Sequence, residues 1–323
     1  MTTLALAGFV KAPSGAGVIH ERLAEGLPRA VGDRASIVRT DPTRSSLPSV
    51  VSRLRATAPD CDALIWTSTP LPLGIQQRTA LYPFVHDLRW MRTRSWPARI
   101  YRAVDTARTI RRATGFLTNS QTVASQISLF TDKPIGILPL GPGQVEGAQV
   151  PPPENSQTIV LIGGAPHKRN EDLARLLVAS KLVRSSYQVI AIGVSPTCEE
   201  ILRAGLREGC VKVTRAIPTE ELIATFSSAS AFMSLATSEG FGFSYLEASY
   251  LGCDVIAPLQ PLTTEVLGSD ACLLRSASPT VNEVEAALES WDAPRVNRLQ
   301  ARASTRSWSQ TASSAANFVL RHV

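Results

Sequence analysis

Ser238-Glu239-Gly240-Phe241-Gly242-Phe243-Ser244-Tyr245-Leu246-Glu247-Ala248, followed by Leu251-Gly252-Cys253-Asp254-Val255-Ile256-Ala257-Pro258, decides the fold. Ahead of it, Ala231-Phe232-Met233-Ser234-Leu235 is an apolar run of strand length. Behind Gly242, the spacing of Phe243, Leu246, Tyr250 and Leu251 is helical and stops at Gly252, a natural C-terminal cap. The stretch therefore reads as strand, glycine loop, helix, strand. In such a unit the loop N–H groups and the helix N-terminus carry partial positive charge that suits a phosphate or diphosphate. Gly240 and Gly242 let an anion approach the backbone. Glu239 and Glu247 are poor phosphate holders, but both can accept hydrogen bonds from ligand hydroxyls, as carboxylates do on ribose or sugar rings. Taken singly, either glutamate reads as a solvated charge.

Outward from this stretch, 323 residues are too many for one ordinary core and suit two domains. Hydrophobic residues make up 44% of the chain with no run of membrane-spanning length. Met1 to Ala7 lacks the pattern of a signal peptide, and the five cysteines are scattered without metal spacing, so a reducing, cytoplasmic compartment is expected. Leu4 to Val10 reads as a buried strand, Lys11 to Gly17 as a turn-rich loop, and Val18 to Leu27 as a helix with Val18, Leu23 and Leu27 inward. Ser14-Gly15-Ala16-Gly17 offers backbone amides, yet His20 occupies the third glycine position of a dinucleotide fingerprint, and a helix-capping turn is the simpler reading. Asp60-Cys61-Asp62 precedes the strand Ala63 to Trp66, at the edge opposite the ligand-bearing carboxyl ends of a parallel sheet, so it reads as a solvated turn and no metal is expected.

Tyr82 to Leu88 is a strand ending in His86-Asp87. Arg89 to Arg112 holds eight arginines and one acid, Asp105, interleaved with Trp90, Trp96 and Tyr101. Residues 1–140 carry a net charge of +9 and the remainder −3. A basic face of this kind suits an anionic membrane surface, a lipid-diphosphate acceptor or nucleic acid, and equally a solvated helix; no nucleic-acid recognition motif accompanies it. Ser120 is a helix N-cap. After the boundary near Leu138 to Gly143 and the stiff segment Pro151-Pro152-Pro153, Thr158 to Ile162 opens a second series of strands. Gly163-Gly164-Ala165-Pro166-His167-Lys168-Arg169-Asn170 then places two cations at a strand end, where they suit a departing diphosphate. Thr219 reads as the N-cap of the helix Leu222 to Ser227.

Glu239-Gly240-Phe241-Gly242 with Glu247 and the Val-Ile-Ala strand resembles the signature of retaining glycosyltransferases of family 4. That resemblance implies the GT-B fold: two Rossmann-like domains facing across a cleft, residues 1–140 binding the acceptor and 141–307 the nucleotide sugar. Trp308 and the helix behind it, 308–323, would return to the N-terminal domain. It implies that Glu239 contacts the donor sugar and Glu247 the nucleotide ribose, with Gly240, Phe241 and Gly242 beside the donor. It places Gly15 and Gly17 toward the cleft and His86 near sugar and diphosphate, and assigns Gly163, Gly164, Lys168 and Arg169 to the donor phosphates. Gly164 stands where an arginine is usual and the basic pair is in reversed order, so which cation touches phosphate stays open. The implied function is transfer of a sugar, mannose or another hexose, from a nucleotide-diphosphate sugar to a glycan or lipid-linked acceptor hydroxyl without metal or cofactor. The alternatives are a non-catalytic nucleotide-sugar binder or partner subunit, a GT-B sugar-nucleotide epimerase, and a nucleic-acid-binding protein.

Overall fold

The computed structural model describes residues 2–8, 14–39, 60–68, 71, 75–88, 96–276 and 278–323. The expectations attached to Val10, Lys11, Arg89, Trp90, Arg92 and Arg94 lie outside these residues. The chain divides into two compact units, 1–141 with 306–323, and 142–305.

In unit 1 the strands are β1 (Thr2–Ala7), β2 (Ala35–Arg39), β3 (Ala63–Trp66), β4 (Ala80–Val85), β5 (Phe116–Thr118) and β6 (Ile135–Ile137). They form one parallel sheet in the order β2-β1-β3-β4-β5-β6. Runs such as Ala63-Leu64-Ile65-Trp66 are apolar throughout because both faces of a parallel sheet are covered. The helices are α1 (Gly15–Val31), α2 (Trp96–Arg112) and α3 (Gln121–Ile127). Ser14 caps α1 by accepting the Gly17 N–H at 3.1 Å, so the helix starts three residues before the expected Val18. Its inward face is Ile19, His20, Leu23 and Leu27, whereas Val18 is partly exposed. Ser120 caps α3, as its position before the apolar pattern suggested.

In unit 2 the strands are β7 (Thr158–Ile162), β8 (Gln188–Ile192), β9 (Val211–Thr214), β10 (Ala231–Met233), β11 (Asp254–Pro258) and β12 (Cys272–Leu274). They are parallel in the order β12-β11-β10-β7-β8-β9. The helices are α4 (Asn170–Ala179), α5 (Lys181–Ser186), α6 (Pro196–Gly205), α7 (Thr219–Ser228), α8 (Phe243–Tyr250), α9 (Pro261–Leu267), α10 (Val281–Glu289) and α11 (Ala293–Ser304). Thr219 is not a cap: Pro218 takes that place without a side-chain bond, and the Thr219 hydroxyl donates to Gln144 Oε1 at 2.8 Å. The last helix, α12 (Trp308–His322), belongs to unit 1. It packs on α1 through small residues: a Cβ at Gly26 would sit 2.6 Å from Ala312 Cβ. Farther along, Phe318 meets Tyr82 edge-on at 6.1 Å.

Each sheet has one point where chain order reverses, between β1 and β3 in unit 1 and between β7 and β10 in unit 2. Connections diverge there to opposite faces, leaving a crevice beyond the carboxyl ends of the two strands, the usual place for a ligand in open α/β sheets.

Candidate active site

The loops leaving β7 and β10 fill the crevice of unit 2. After β7, Gly163 has φ +94°, and a Cβ on Gly164 would lie 2.8 Å from the Gly193 carbonyl oxygen, so neither place accepts a side chain without movement. A single 3₁₀ turn, Pro166–Lys168, leads to Arg169, a non-glycine residue in the left-handed region at φ 53°. The Asn170 amide donates back to the Ile162 and Gly163 carbonyls and holds this loop against the strand end. After β10, the Thr237 N–H donates to the His167 carbonyl at 3.0 Å and ties the two loops together. Gln260 Nε2 donates to Ala236 O at 2.8 Å, and Ser234 Oγ accepts from the Ala236 N–H and from the Tyr245 hydroxyl, both at 3.2 Å.

This bracing brings Lys168 Nζ to 2.6 Å from Glu239 Oε1, with the side chains only 19% and 11% exposed. Arg169 turns elsewhere, its Nε donating to Asp172 Oδ2 at 2.8 Å on the first turn of α4. The two neighbouring cations therefore face different carboxylates. Gly242 has φ +81°, and a Cβ there would overlap the Tyr245 ring. It occupies the N-cap position of α8 and offers no side-chain oxygen, so the helix N-terminus has no side-chain cap. Phe241 is buried and packs against Phe243 at 5.2 Å, so it shapes the loop from beneath.

Glu247 sits in the middle of α8, half-buried. Its Oε1 accepts the Gln144 N–H at 3.3 Å, and a Cβ on Gly143, φ +54°, would overlap the carboxylate. Burial pushes this carboxyl up to about 7, opposed by the Gln144 N–H and the positive charge of Lys168. Gly143, Gln144, Asn170 and Thr237 were not singled out by sequence reasoning. Gln144, 103 positions before the glutamate it meets, and the glycine beside it carry no local signal.

In unit 1, His86 follows β4 and its Nε2 lies 2.9 Å from the Thr67 carbonyl oxygen. A carbonyl only accepts, so Nε2 carries the proton and Nδ1 holds the lone pair; burial favours this neutral form, against the Thr67 bond and the nearby Asp87. Nδ1 is buried without a hydrogen-bond partner among the described residues. Thr67 also serves His20: its hydroxyl donates to Ala7 O at 3.3 Å and lies 2.8 Å from His20 Nδ1. A Cβ on Gly8 would collide with that hydroxyl, which explains a glycine at the end of β1. Gly15 and Gly17 lie in the first turn of α1, and the Gly17 N–H is taken by Ser14. Asp60 pairs with Arg78 at 2.6 Å, and Asp62 accepts the Thr3 N–H at 2.8 Å, so each is engaged by a separate partner.

Two parallel Rossmann-like sheets with these switch-point loops define a GT-B glycosyltransferase fold. Residues 156–290, which lie within unit 2, match the family model "Glycosyl transferases group 1". No curated protein matches the sequence. Among solved structures, a sucrose-phosphate synthase from Thermosynechococcus elongatus is similar with a TM-score of 0.72 and 16% identity over 98% of both chains. WaaG, a glycosyltransferase involved in lipopolysaccharide biosynthesis, is similar with a TM-score of 0.66 and 14% identity over 99% of both. TarM matches with a TM-score of 0.61 and 14% identity over 80% of this chain, which spans 54% of TarM.

Proposed function

We propose that this protein is a retaining glycosyltransferase of family 4 that moves a hexosyl group from a nucleotide-diphosphate sugar to an acceptor hydroxyl in the synthesis of a glycan or glycolipid. The observation that carries the reading is the Lys168–Glu239 pair at the switch point of unit 2, beside the uncapped start of α8 and the covered carboxylate of Glu247. Structures of similar fold support it: the pneumococcal O-GlcNAc transferase GtfA was captured with UDP and GlcNAc, and an alpha-glucosyltransferase with UDP. On this reading Lys168 and the α8 N-terminus take the charge of the diphosphate, Glu239 accepts from sugar hydroxyls, and Glu247 accepts from ribose hydroxyls. Gly163 and Gly164 admit the phosphates close to the backbone, Arg169 lends more distant charge, and neutral His86 assists at the acceptor.

The acceptor oxygen attacks the anomeric carbon from the face that the diphosphate leaves. As that bond forms, the bond from the anomeric carbon to the phosphate oxygen breaks, its electron pair goes to the diphosphate, and the hydroxyl proton passes to the lone pair of neutral His86. The protein supplies positioning and charge stabilisation rather than a covalent nucleophile. Because a lysine and helix-terminal amides face the phosphates, turnover is expected to survive excess EDTA. Thermal-shift titration with UDP, GDP and ADP sugars tests the donor site, at concentrations about a hundredfold above Kd, where a single site adds about 2.7 kcal/mol. No shift with any of them rejects the reading, and activity lost to EDTA and restored by Mg²⁺ rejects the metal-free part.

A peripheral location at an anionic membrane is favoured by α2. Trp96, Ile100 and Val104 recur every four residues on its outer face and are 69%, 52% and 62% exposed, with Arg99 and Arg111 also exposed. Such a face seats apolar side chains among lipid head groups while arginines meet anionic lipid. Binding to vesicles containing phosphatidylserine is expected to fall steeply with salt, and Trp96→Ala with Ile100→Ala to weaken it about tenfold or more. Equal binding to neutral vesicles leaves the arginines as a solvated face or an anionic-acceptor site, and no binding to either kind removes the membrane from the scheme.

A further inference from the structure

Unit 1 contains a cavity of about 330 Å³ that runs from His86 at the end of β4 between β4, α2 and α3. It is at the small end of the range for small-molecule sites, about 300–1,000 Å³. Its walls are mainly aromatic and aliphatic, including Trp66, Phe84, Ile110, Phe116 and Ile127, and Phe130, 48% exposed, stands at the mouth. The only charged residues among its described lining are two acids, Asp87 and Asp105. Asp105 accepts the Leu71 N–H at 3.3 Å and lies 3.8 Å from Arg108, so its charge is engaged within the wall. Two polar atoms are buried there without a partner among the described residues, His86 Nδ1 and Thr106 Oγ1. Thr109, also in the lining, spends its hydroxyl on the Asp105 carbonyl at 2.7 Å.

The chemistry of this lining selects its occupant. An anion would face two carboxylates and no described cation. A free hexose would bring a ring of hydroxyls to a wall with two open polar atoms, and each unpaired hydroxyl would lose its hydration without return. An apolar body bearing one hydroxyl fits both the surface and the lone pair. His86 donates through Nε2 to Thr67, so Nδ1 can only accept, and its natural partner is an O–H.

Resting on the glycosyltransferase reading, we infer that the acceptor is a neutral, mainly apolar alcohol or phenol, held in this cavity with its hydroxyl donating to His86 Nδ1. The full-length protein is to be titrated with 2-naphthol and with 2-methoxynaphthalene, which keeps the ring and lacks the donor. 2-Naphthol should bind about five- to tenfold more tightly, the span of one buried neutral hydrogen bond. His86→Phe should abolish the difference between the two ligands. Phe130→Ala, at the exposed mouth, should weaken both several-fold, and Thr109→Trp should block both by filling the cavity while leaving nucleotide-sugar binding in place. Methyl glucoside and glycerol 3-phosphate should not compete. Absence of 2-naphthol binding, indifference of both ligands to Phe130→Ala and Thr109→Trp, or competition by methyl glucoside overturns the inference. Nucleotide-sugar binding without naphthol binding removes the apolar acceptor and keeps the transferase; naphthol binding without any nucleotide-sugar binding removes the transferase reading on its own evidence.

Discussion

Lys168→Ala is expected to lower turnover by about a hundred- to a thousandfold, the usual cost of deleting one preorganised group that stabilises transition-state charge. Arg169→Ala is expected to lower it by less than about tenfold. The two residues are adjacent in sequence, yet Lys168 Nζ lies 2.6 Å from Glu239 in the switch-point crevice and Arg169 is committed to Asp172 on the surface of α4. On the proposed function, a diphosphate arriving there would require Nζ only to pivot from one anion to another. Its charge is already desolvated and held within a braced loop, so little reorganisation remains for the reaction step. Removing it also strands Glu239, whose carboxylate is 11% exposed, and uncompensated charge of that kind destabilises the fold. Lys168→Arg separates the two effects, because it keeps the charge and displaces it. Recovery of stability without recovery of turnover places the requirement on geometry. Steady-state kinetics with a donor found by titration provide the measurement, and equal losses for Lys168→Ala and Arg169→Ala would remove the distinction.

Much of the fold was legible because its signals are local. Apolar runs such as Thr158 to Ile162 and Ala63 to Trp66 can only be doubly covered strands, and Gly252 stops α8 where its φ of +76° demands glycine. The glycine loop with Glu239 and Glu247 was legible for the same reason, since strand, turn and helix follow one another within twenty residues. What escaped is what the fold brings together from a distance. Nothing around Gly143 indicates that Glu247 will lie against it, and nothing near Thr67 indicates two histidines on either side. Asp254 begins a strand, is 1% exposed and is bound by both terminal nitrogens of Arg295, 41 residues later, a pairing that no local pattern announces. That Lys168 and Arg169 face different carboxylates escaped for another reason: it goes with the left-handed turn at Arg169, which a side chain rarely adopts and composition does not announce. Thr219 was misread as a cap because Pro218 already fixes the extended conformation that a cap requires.

Glu247→Gln is expected to make unit 2 more stable at alkaline pH and the protein a weaker nucleotide binder. Burial raises the Glu247 carboxyl from its ordinary 4.5 to about 7, so between those values the folded state keeps a proton that the unfolded chain has lost. Over that window the unfolded state binds fewer protons, and stability therefore falls as pH rises; above about 7 both states are ionised and the loss is complete. Glutamine is close in shape, carries no charge and avoids the loss. The gain should be negligible near pH 4.5 and grow to about 2–3 kcal/mol at pH 8, or about 4–12 °C in the thermal midpoint for a unit of this size. Function should move the other way. If the ionised carboxylate accepts from ribose, nucleotide affinity of the unmodified protein should drop about tenfold between pH 8 and pH 6, as a group titrating near 7 takes up its proton. In Glu247→Gln that pH dependence should vanish at a uniformly weaker affinity. The carboxylate would then be kept at a cost in stability because the binding step needs its charge, a common trade at functional sites. Calorimetric titration and differential scanning calorimetry across pH 4.5 to 8.5 give both quantities on the same samples. A variant no more stable at pH 8 than the parent contradicts the raised carboxyl, and an unchanged nucleotide affinity detaches Glu247 from the donor.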